Sequence, residues 1–320
     1  MPEPRLGLTF PLGTAPLADQ EPIVRRLESL GYDGLWTPES TGPDGFTPLA
    51  LAAAWTERMR LGVGVASVFT RGRTVLAQTA ATLAEASGGR FVLGLGASSD
   101  RIVEEWNGLP FERPLSKVRE VVGDLRVLLA GGRGPGGFRL GDPPSSPVPI
   151  YVAALRTKML RAAGELGDGV WINFVPVSGL RQVVAEIEAG ARRAGREAGG
   201  VEVICRTMNV TMPVDEGIES MRSTFAGYAS VPVYTEFFRW LGWGERLAPM
   251  LEAWAAGDRR LAAELVPEDL IREVAIFGGP EEQLEQLRAM GEAGIDAVSL
   301  TPIGDPRDAL ALIEGVAAGN

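Results

Sequence analysis

Short runs of β-branched and apolar residues alternate with longer stretches of helical period along the whole chain, and this alternation constrains the fold more than any other feature. The first run, Leu6 to Pro11, precedes a segment in which Ile23, Leu27 and Leu30 recur at helical spacing and which stops at Gly31. Further runs cover 34–39, 61–67, 91–98, 150–155, 169–174, 201–212 and 297–303. Val75, Leu76, Thr79 and Leu83 mark a helix that closes on Gly88 and Gly89. A short helix around 102–106, a longer one over 117–129 and a Gly/Pro-rich surface loop over 131–149, with a small hairpin, are expected next. The last run leads into a helix over 307–316 that Pro306 initiates. Eight strands, each followed by a helix, predict an α/β chain folded as a (β/α)8 TIM barrel, and the 320 residues suffice for one such domain, 1–320.

Between the seventh and eighth strands lies an insertion, about 214–280, that is too long for an ordinary connection. It is helical and aromatic: Phe225, Tyr228, Tyr234, Phe237, Phe238, Trp240 and Trp243 carry more ring surface than water tolerates unpartnered. Two readings stand side by side, a packed subdomain or dimer contact and a lid over a substrate.

Composition removes whole classes of chemistry. The chain has no histidine, which excludes Ser-His-Asp triads, Cys-His pairs and histidine zinc sites. A single cysteine, Cys205, leaves no disulfide within the chain and no cysteine cluster for a metal. A net charge of -10 without a basic stripe argues against nucleic acid as a partner. No export signal opens the chain and no run of 18 apolar residues occurs, so a soluble, cytoplasmic protein that does not enter a membrane is expected.

In a parallel barrel the reactive groups gather at the carboxyl ends of the strands. The runs place Thr9, Phe10, Pro11, 36–40, Ala66, Ser67, Ala97, Ser98, 153–157, Asn173, Met208, Asn209 and Thr301 there, with Glu39 and Arg156 nearly the only charges. Paired-carboxylate hydrolysis lacks its second carboxylate and no metal cluster appears, so the rim suits a cofactor that brings its own reactivity. Gly94-Leu95-Gly96-Ala97-Ser98-Ser99 invites comparison with the dinucleotide fingerprint, but its sixth position is Ser99 rather than glycine and no acidic residue ends the following strand. After strand five, Ala153-Ala154-Leu155-Arg156-Thr157-Lys158 turns directly into a helix and presents free amides and two cations, a setting for phosphate.

These residues resemble the luciferase-like oxidoreductase family, in particular its deazaflavin-dependent branch, which includes methylenetetrahydromethanopterin reductases and sugar-phosphate dehydrogenases. The most specific matches are Gly62 to Ser67 leading to Thr70-Arg71, Gly89 to Gly96, and Ala153-Ala154-Leu155 through Gly164 to Gly169. The resemblance implies a non-prolyl cis peptide at Gly64-Val65 whose bulge, with Ala66 and Ser67, backs the cofactor ring. It further implies that Ala97, Ser98, Ala153, Ala154, Leu155, Arg156 and Thr157 hold the phosphate or ribityl chain. Arg71, Arg73, Arg156 and Lys158 are candidates to attract the anionic tail of coenzyme F420.

The sequence departs from the branch at the end of strand two, where sugar-phosphate and alcohol dehydrogenases carry an Asp-His pair and this chain carries Glu39-Ser40. Those two are the candidate catalytic residues, Glu39 through a hydrogen bond or a proton. The expected activity is hydride transfer between coenzyme F420 and a small organic substrate that these residues do not identify. An FMN-dependent monooxygenase and a non-catalytic flavin-binding barrel are the alternatives, and the resemblance implies a homodimer.

Overall fold

The computed structural model describes residues 3–197 and 199–319. Among them, ten parallel strands form one sheet: β1 (Arg5–Thr9), β2 (Gly34–Thr37), β3 (Arg60–Val63), β4 (Ala66–Ser67), β5 (Phe91–Gly96), β6 (Ile150–Ala153), β7 (Gly169–Asn173), β8 (Glu202–Val210), β9 (Ala275–Ile276) and β10 (Ala297–Ile303). The sheet closes on itself because Val298 of β10 stands between Leu6 of β1 and Cys205 of β8. The two halves of the third stave, β3 and β4, both pair with β5, and β9 only extends the end of β8. The result is the (β/α)8 barrel that the alternation predicts.

Helices α1 (Glu21–Ser29), α2 (Thr47–Trp55), α3 (Arg73–Ala86), α4 (Pro114–Leu129), α5 (Thr157–Leu166) and α6 (Leu180–Arg193) follow the first six staves. The insertion consists of α7 (Val214–Ala229), α8 (Pro232–Trp240), α9 (Gly244–Ala255), α10 (Arg259–Glu264) and α11 (Glu268–Val274), after which α12 (Pro280–Glu292) and α13 (Pro306–Gly319) complete the ring. No helix among the described residues is long and apolar enough to cross a membrane.

Three local expectations change. The first strand stops at Thr9, before a cis Phe10-Pro11 bond, and the third is interrupted at Gly64-Val65, where the peptide is cis as the resemblance implies. The loop over 131–149 forms no hairpin and holds only a 3-10 turn, Pro135–Gly137. Its prolines remove ladder donors, and Gly131, Gly136 and Gly137 all adopt positive φ, which interrupts any extended pairing.

Side-chain alternation splits each stave between two cores. Leu8, Leu35, Leu61, Val63, Leu95, Val152, Val170, Ile172, Val203 and Val298 face outward and pack beneath the helices. Trp36, Val92, Tyr151, Trp171, Ile204 and Ala297 fill the barrel's interior. Two indoles and a phenol fit inside so narrow a barrel only because glycines face them. A Cβ on Gly62 would come within 2.0 Å of the Trp36 ring, one on Gly64 within 2.6 Å of Trp171 and one on Gly169 within 2.7 Å of Tyr151.

The amino end of the barrel is closed by charge. Arg60 Nη1 and Nη2 donate to Glu202 at 3.0 Å each, Arg60 also binds Asp33, and Tyr151 Oη donates to the same Glu202 carboxylate. Arg5 adds a second cation to Glu202 at 2.6 Å.

Candidate active site

At the carboxyl end, the staves from β2 to β8 and the insertion enclose a cavity of about 1480 Å³. That exceeds the roughly 300 to 1,000 Å³ of a pocket for one drug-sized ligand. It leaves room for a large cofactor together with a substrate. Glu39, Ser40, Gly64, Val65, Ala66, Ser67, Ala97, Ser98, Ala153, Ala154, Leu155, Arg156 and Thr157 all border it. The first stave does not: Thr9, Phe10 and Pro11 lie outside the lining, and Thr9 Oγ1 instead bonds Thr301 Oγ1 at 2.7 Å and Ser299 Oγ at 3.2 Å.

One wall of the cavity is built from small side chains for a steric reason. Gly94 and Gly96 of β5 face the interrupted stave, and a Cβ on Gly94 would stand 1.9 Å from the Val63 carbonyl oxygen. A Cβ on Gly96 would meet Val65 Cγ2 at 2.9 Å and Ala153 Cβ at 3.2 Å. The Gly-Leu-Gly that resembles a dinucleotide fingerprint therefore admits backbone and side chain from the neighbouring stave. Ser98 leaves β5 with φ 66°, a left-handed conformation uncommon outside glycine, which turns the chain into the cavity.

Helix α5 begins at this wall. Thr157, Lys158 and Met159, its first turn, border the cavity, and Arg156 at its N-cap supplies no side-chain cap. Among the described residues the first-turn amides have no protein acceptor, so the positive end of the helix opens on the cavity.

The other wall is aromatic. Phe225, Phe237 and Phe238 of the insertion are fully buried, while Tyr228, Tyr234 and Trp240 turn to the cavity. The insertion thus packs through some of its rings and borders the cavity through others. Asn173 Nδ2 donates to Tyr234 Oη at 3.2 Å, while Asn173 Oδ1, buried, has no partner. Burial and the neighbouring Tyr228 push the Tyr234 hydroxyl up to about 12, so it keeps its proton at neutral pH.

Charge on the rim is richer than the strand runs suggest. Glu39 is gripped by Arg71, whose Nε lies 3.0 Å from both carboxylate oxygens and whose Nη2 lies 2.5 Å from one, and Gly45 N–H adds a bond at 3.1 Å. Arg73 is committed to Glu120 and Asp124 on α4. Neither Arg71 nor Arg73 borders the cavity, so of the four cations expected to attract an anion only Arg156 and Lys158 are placed to do so. Asn209 also departs from expectation. It faces outward, where its Nδ2 donates to Gln283 of α12 at 2.9 Å, and Met208 is buried outside the lining.

Arg206 of β8 borders the cavity and went unrecognised in the sequence, where it reads as one more residue of a long strand. The alternation starting at Ile204 was the available signal, since it puts residue 206 on the interior face. The short helix expected around 102–106 is present as a π-helix, Arg101–Trp106, and it borders the cavity through Arg101, Ile102 and Trp106, with Phe111 beyond it.

With this geometry in place, comparison with known proteins is informative. The family model described as luciferase-like monooxygenase matches residues 6–297. The chain is 30% identical over 310 residues to the 5,10-methylenetetrahydromethanopterin reductase of Archaeoglobus fulgidus, covering 92% of each sequence. The solved coenzyme F420-dependent tetrahydromethanopterin reductase of Methanopyrus kandleri superposes with a TM-score of 0.79 at 25% identity, covering 98% of both chains. An F420-dependent secondary alcohol dehydrogenase bound to an F420-acetone adduct shares the fold, with a TM-score of 0.80 at 21% identity and 98% of both chains covered.

Proposed function

This chain belongs to the luciferase-like monooxygenase family, and from that premise we propose that it is an oxidoreductase that transfers hydride between coenzyme F420 and a small organic substrate. The observation that carries the reading is the small-residue wall of 64–67, 96–98 and 153–154, which borders a cavity large enough for cofactor and substrate and ends at the uncapped start of α5. The residues present fit the cofactor. Gly64, Val65, Ala66 and Ser67 would back its ring, and Ala97, Ser98 and Ala153 to Thr157 would hold its chain and phosphate. The buried, unpartnered Asn173 Oδ1 is an acceptor suited to a ring N–H. When bound, the deazaflavin supplies the hydride chemistry that no side chain of this protein can.

The chain's own residues position, shield and hold protons. Amides of the first turn of α5, with Arg156 and Lys158, bind an anionic group despite the acidic whole. Tyr228, Tyr234 and Trp240 exclude water from the substrate side. Tyr234 Oη accepts from Asn173 and keeps its own proton, which it can donate to an oxygen or nitrogen that gains charge. Glu39, with both oxygens engaged by Arg71, orders the loop over 40–45, and exposed Ser40 offers a free hydroxyl to the substrate.

Fluorescence titration of the purified protein with coenzyme F420 and, separately, with FMN tests the reading. Saturable binding of F420 with weaker or absent binding of FMN is expected. Tight binding of FMN alone would assign the protein to the flavin monooxygenases, and binding of F420 without turnover of any acceptor would favour a non-catalytic barrel.

A homodimer is proposed as well. Helix α2 is apolar on all sides, with Leu49 and Ala52 buried but Leu51 36% exposed, and Val75 on adjacent α3 is 49% exposed. A helix apolar all round calls for a second covering surface. The double substitution Leu51→Lys and Val75→Lys is expected to halve the mass measured by sedimentation while leaving the monomer folded. An unchanged mass would remove this face from consideration.

A further inference from the structure

We propose that Arg206 is the recognition point for a carboxylate on the substrate, an assignment that rests on reading the cavity as a deazaflavin site. The arginine rises from the interior face of β8, where Ile204 below it belongs to the barrel's inner core. Its Nε donates to Thr301 Oγ1 at 3.0 Å, and Thr301 in turn bonds Thr9 Oγ1. This fixes the plane of the guanidinium with neutral groups only. Among the described residues no carboxylate lies within ion-pairing distance of Arg206.

The carboxylates that border the same cavity are occupied elsewhere. Glu39 belongs to Arg71, Glu236 pairs with Arg239 at 2.5 Å and lies 3.8 Å from Arg156, and Asp100 caps the Arg101 amide at 2.9 Å. Arg206 is therefore a partly buried cation that borders the cavity and, among the described residues, has no anion as partner for its remaining N–H donors. Such a group is poorly compensated until a ligand supplies one, and its flat fork matches the two oxygens of a carboxylate. Lys158 and Arg156 also border the cavity, but they sit at the exposed rim beside α5, where the cofactor's phosphate is placed.

Position separates the two anion sites. The residues assigned to the cofactor's phosphate lie on the fourth and fifth staves, whereas Arg206 lies on β8, next to Asn173 of β7, and borders the cavity together with Tyr228 and Tyr234 of the insertion. A substrate between these walls has its aromatic or apolar body against the tyrosines and its charged end on Arg206. The substrate class is a small aromatic or unsaturated carboxylic acid.

Cinnamate and cinnamamide serve as the probe pair, since they share a body and differ only in the charged end. Binding to the F420-loaded protein is read by calorimetry, and F420 affinity is read separately by fluorescence. Cinnamate is expected to bind about ten- to a hundredfold more tightly than the amide, the range for a hydrogen-bonded charged pair. In Arg206→Met that preference is lost while F420 affinity is retained. Arg206→Lys, which keeps the charge without the fork, retains part of it and guards against a folding defect in the methionine variant. Equal binding of acid and amide, or no binding of the acid, would overturn the assignment. So would a parallel loss of F420 affinity in Arg206→Met, which would give the arginine to the cofactor instead. Should the wild-type protein fail to bind F420, the cofactor reading falls, and the acid-against-amide comparison on the ligand-free protein still decides for or against Arg206.

Discussion

Alanine at Gly94 is expected to lower the melting temperature by at least about 5 °C and to abolish measurable binding of coenzyme F420. The added Cβ would stand 1.9 Å from the Val63 carbonyl oxygen and 3.0 Å from Val65 Cγ1. The first of these is backbone, so no rotamer change relieves it, and the interrupted stave must move away from β5. Overpacking of a core costs about 1 to 3 kcal/mol when side chains can yield and more when they cannot. Binding suffers in addition because Gly64 to Ser67 border the cavity and move with that stave. Gly123 provides the control: it is exposed on α4 with nothing within 4 Å of a Cβ, and alanine there should stabilise the helix by about 0.5 to 1 kcal/mol. Differential scanning fluorimetry and an F420 titration on both variants settle the matter. An unchanged Gly94→Ala protein would mean that the close approach of Val63 to β5 is not part of the fold.

Methionine at Arg60 is expected to cost about 3 kcal/mol at neutral pH, the lower end of the range for removing one partner of a buried ion pair. Arg60 and Glu202 have side chains only 21% and 17% exposed, and the substitution leaves the Glu202 carboxylate inside the barrel with Arg5 as its remaining cation. Burial alone would raise the Glu202 carboxyl, but hydrogen bonds from Arg60 and Tyr151 and the charges of Arg60 and Arg5 hold it below its ordinary value of 4.5. A depressed carboxyl contributes stability that is complete above its unfolded value and is lost as pH falls through its folded value. The gap between wild-type and variant is therefore widest near pH 7 and narrows on acidification, as the unpaired carboxyl, which burial raises, takes up a proton. Neighbouring Asp296 acts in the opposite sense, since burial raises its carboxyl; its contribution favours the fold at low pH and fades as pH rises. Urea denaturation at pH 7 and pH 4 measures the gap, and a gap that widens on acidification would contradict the account.

Much of the site was legible before the structure because its outline is set by local rules. Strand ends mark the rim of a parallel barrel, and the turn from Ala153 into α5 announces free amides by its lack of a capping residue. The aromatic run between strands seven and eight announces a covered surface. Partners remained hidden. Glu39 and Arg71 are 32 residues apart, and nothing near either names the other, so a committed ion pair looked like a free acid and a free cation. Arg206 and Thr301 are 95 residues apart, and only closure of β8 against β10 brings them together.

By itself the sequence determined the sequence of strands and helices, the barrel they make and the absence of histidine and cysteine-cluster chemistry. These follow from side-chain periodicity and residue type, which act within a few residues of chain. The tertiary structure decided which face of each strand looks inward, which charges neutralise one another, and which glycines are required. Those outcomes depend on what stands opposite: Gly94 matters because Val63 lies against it, and Arg206 is available because no carboxylate among the described residues reaches it. Opposition of that kind arises only when a ring of strands closes and joins residues far apart in the chain.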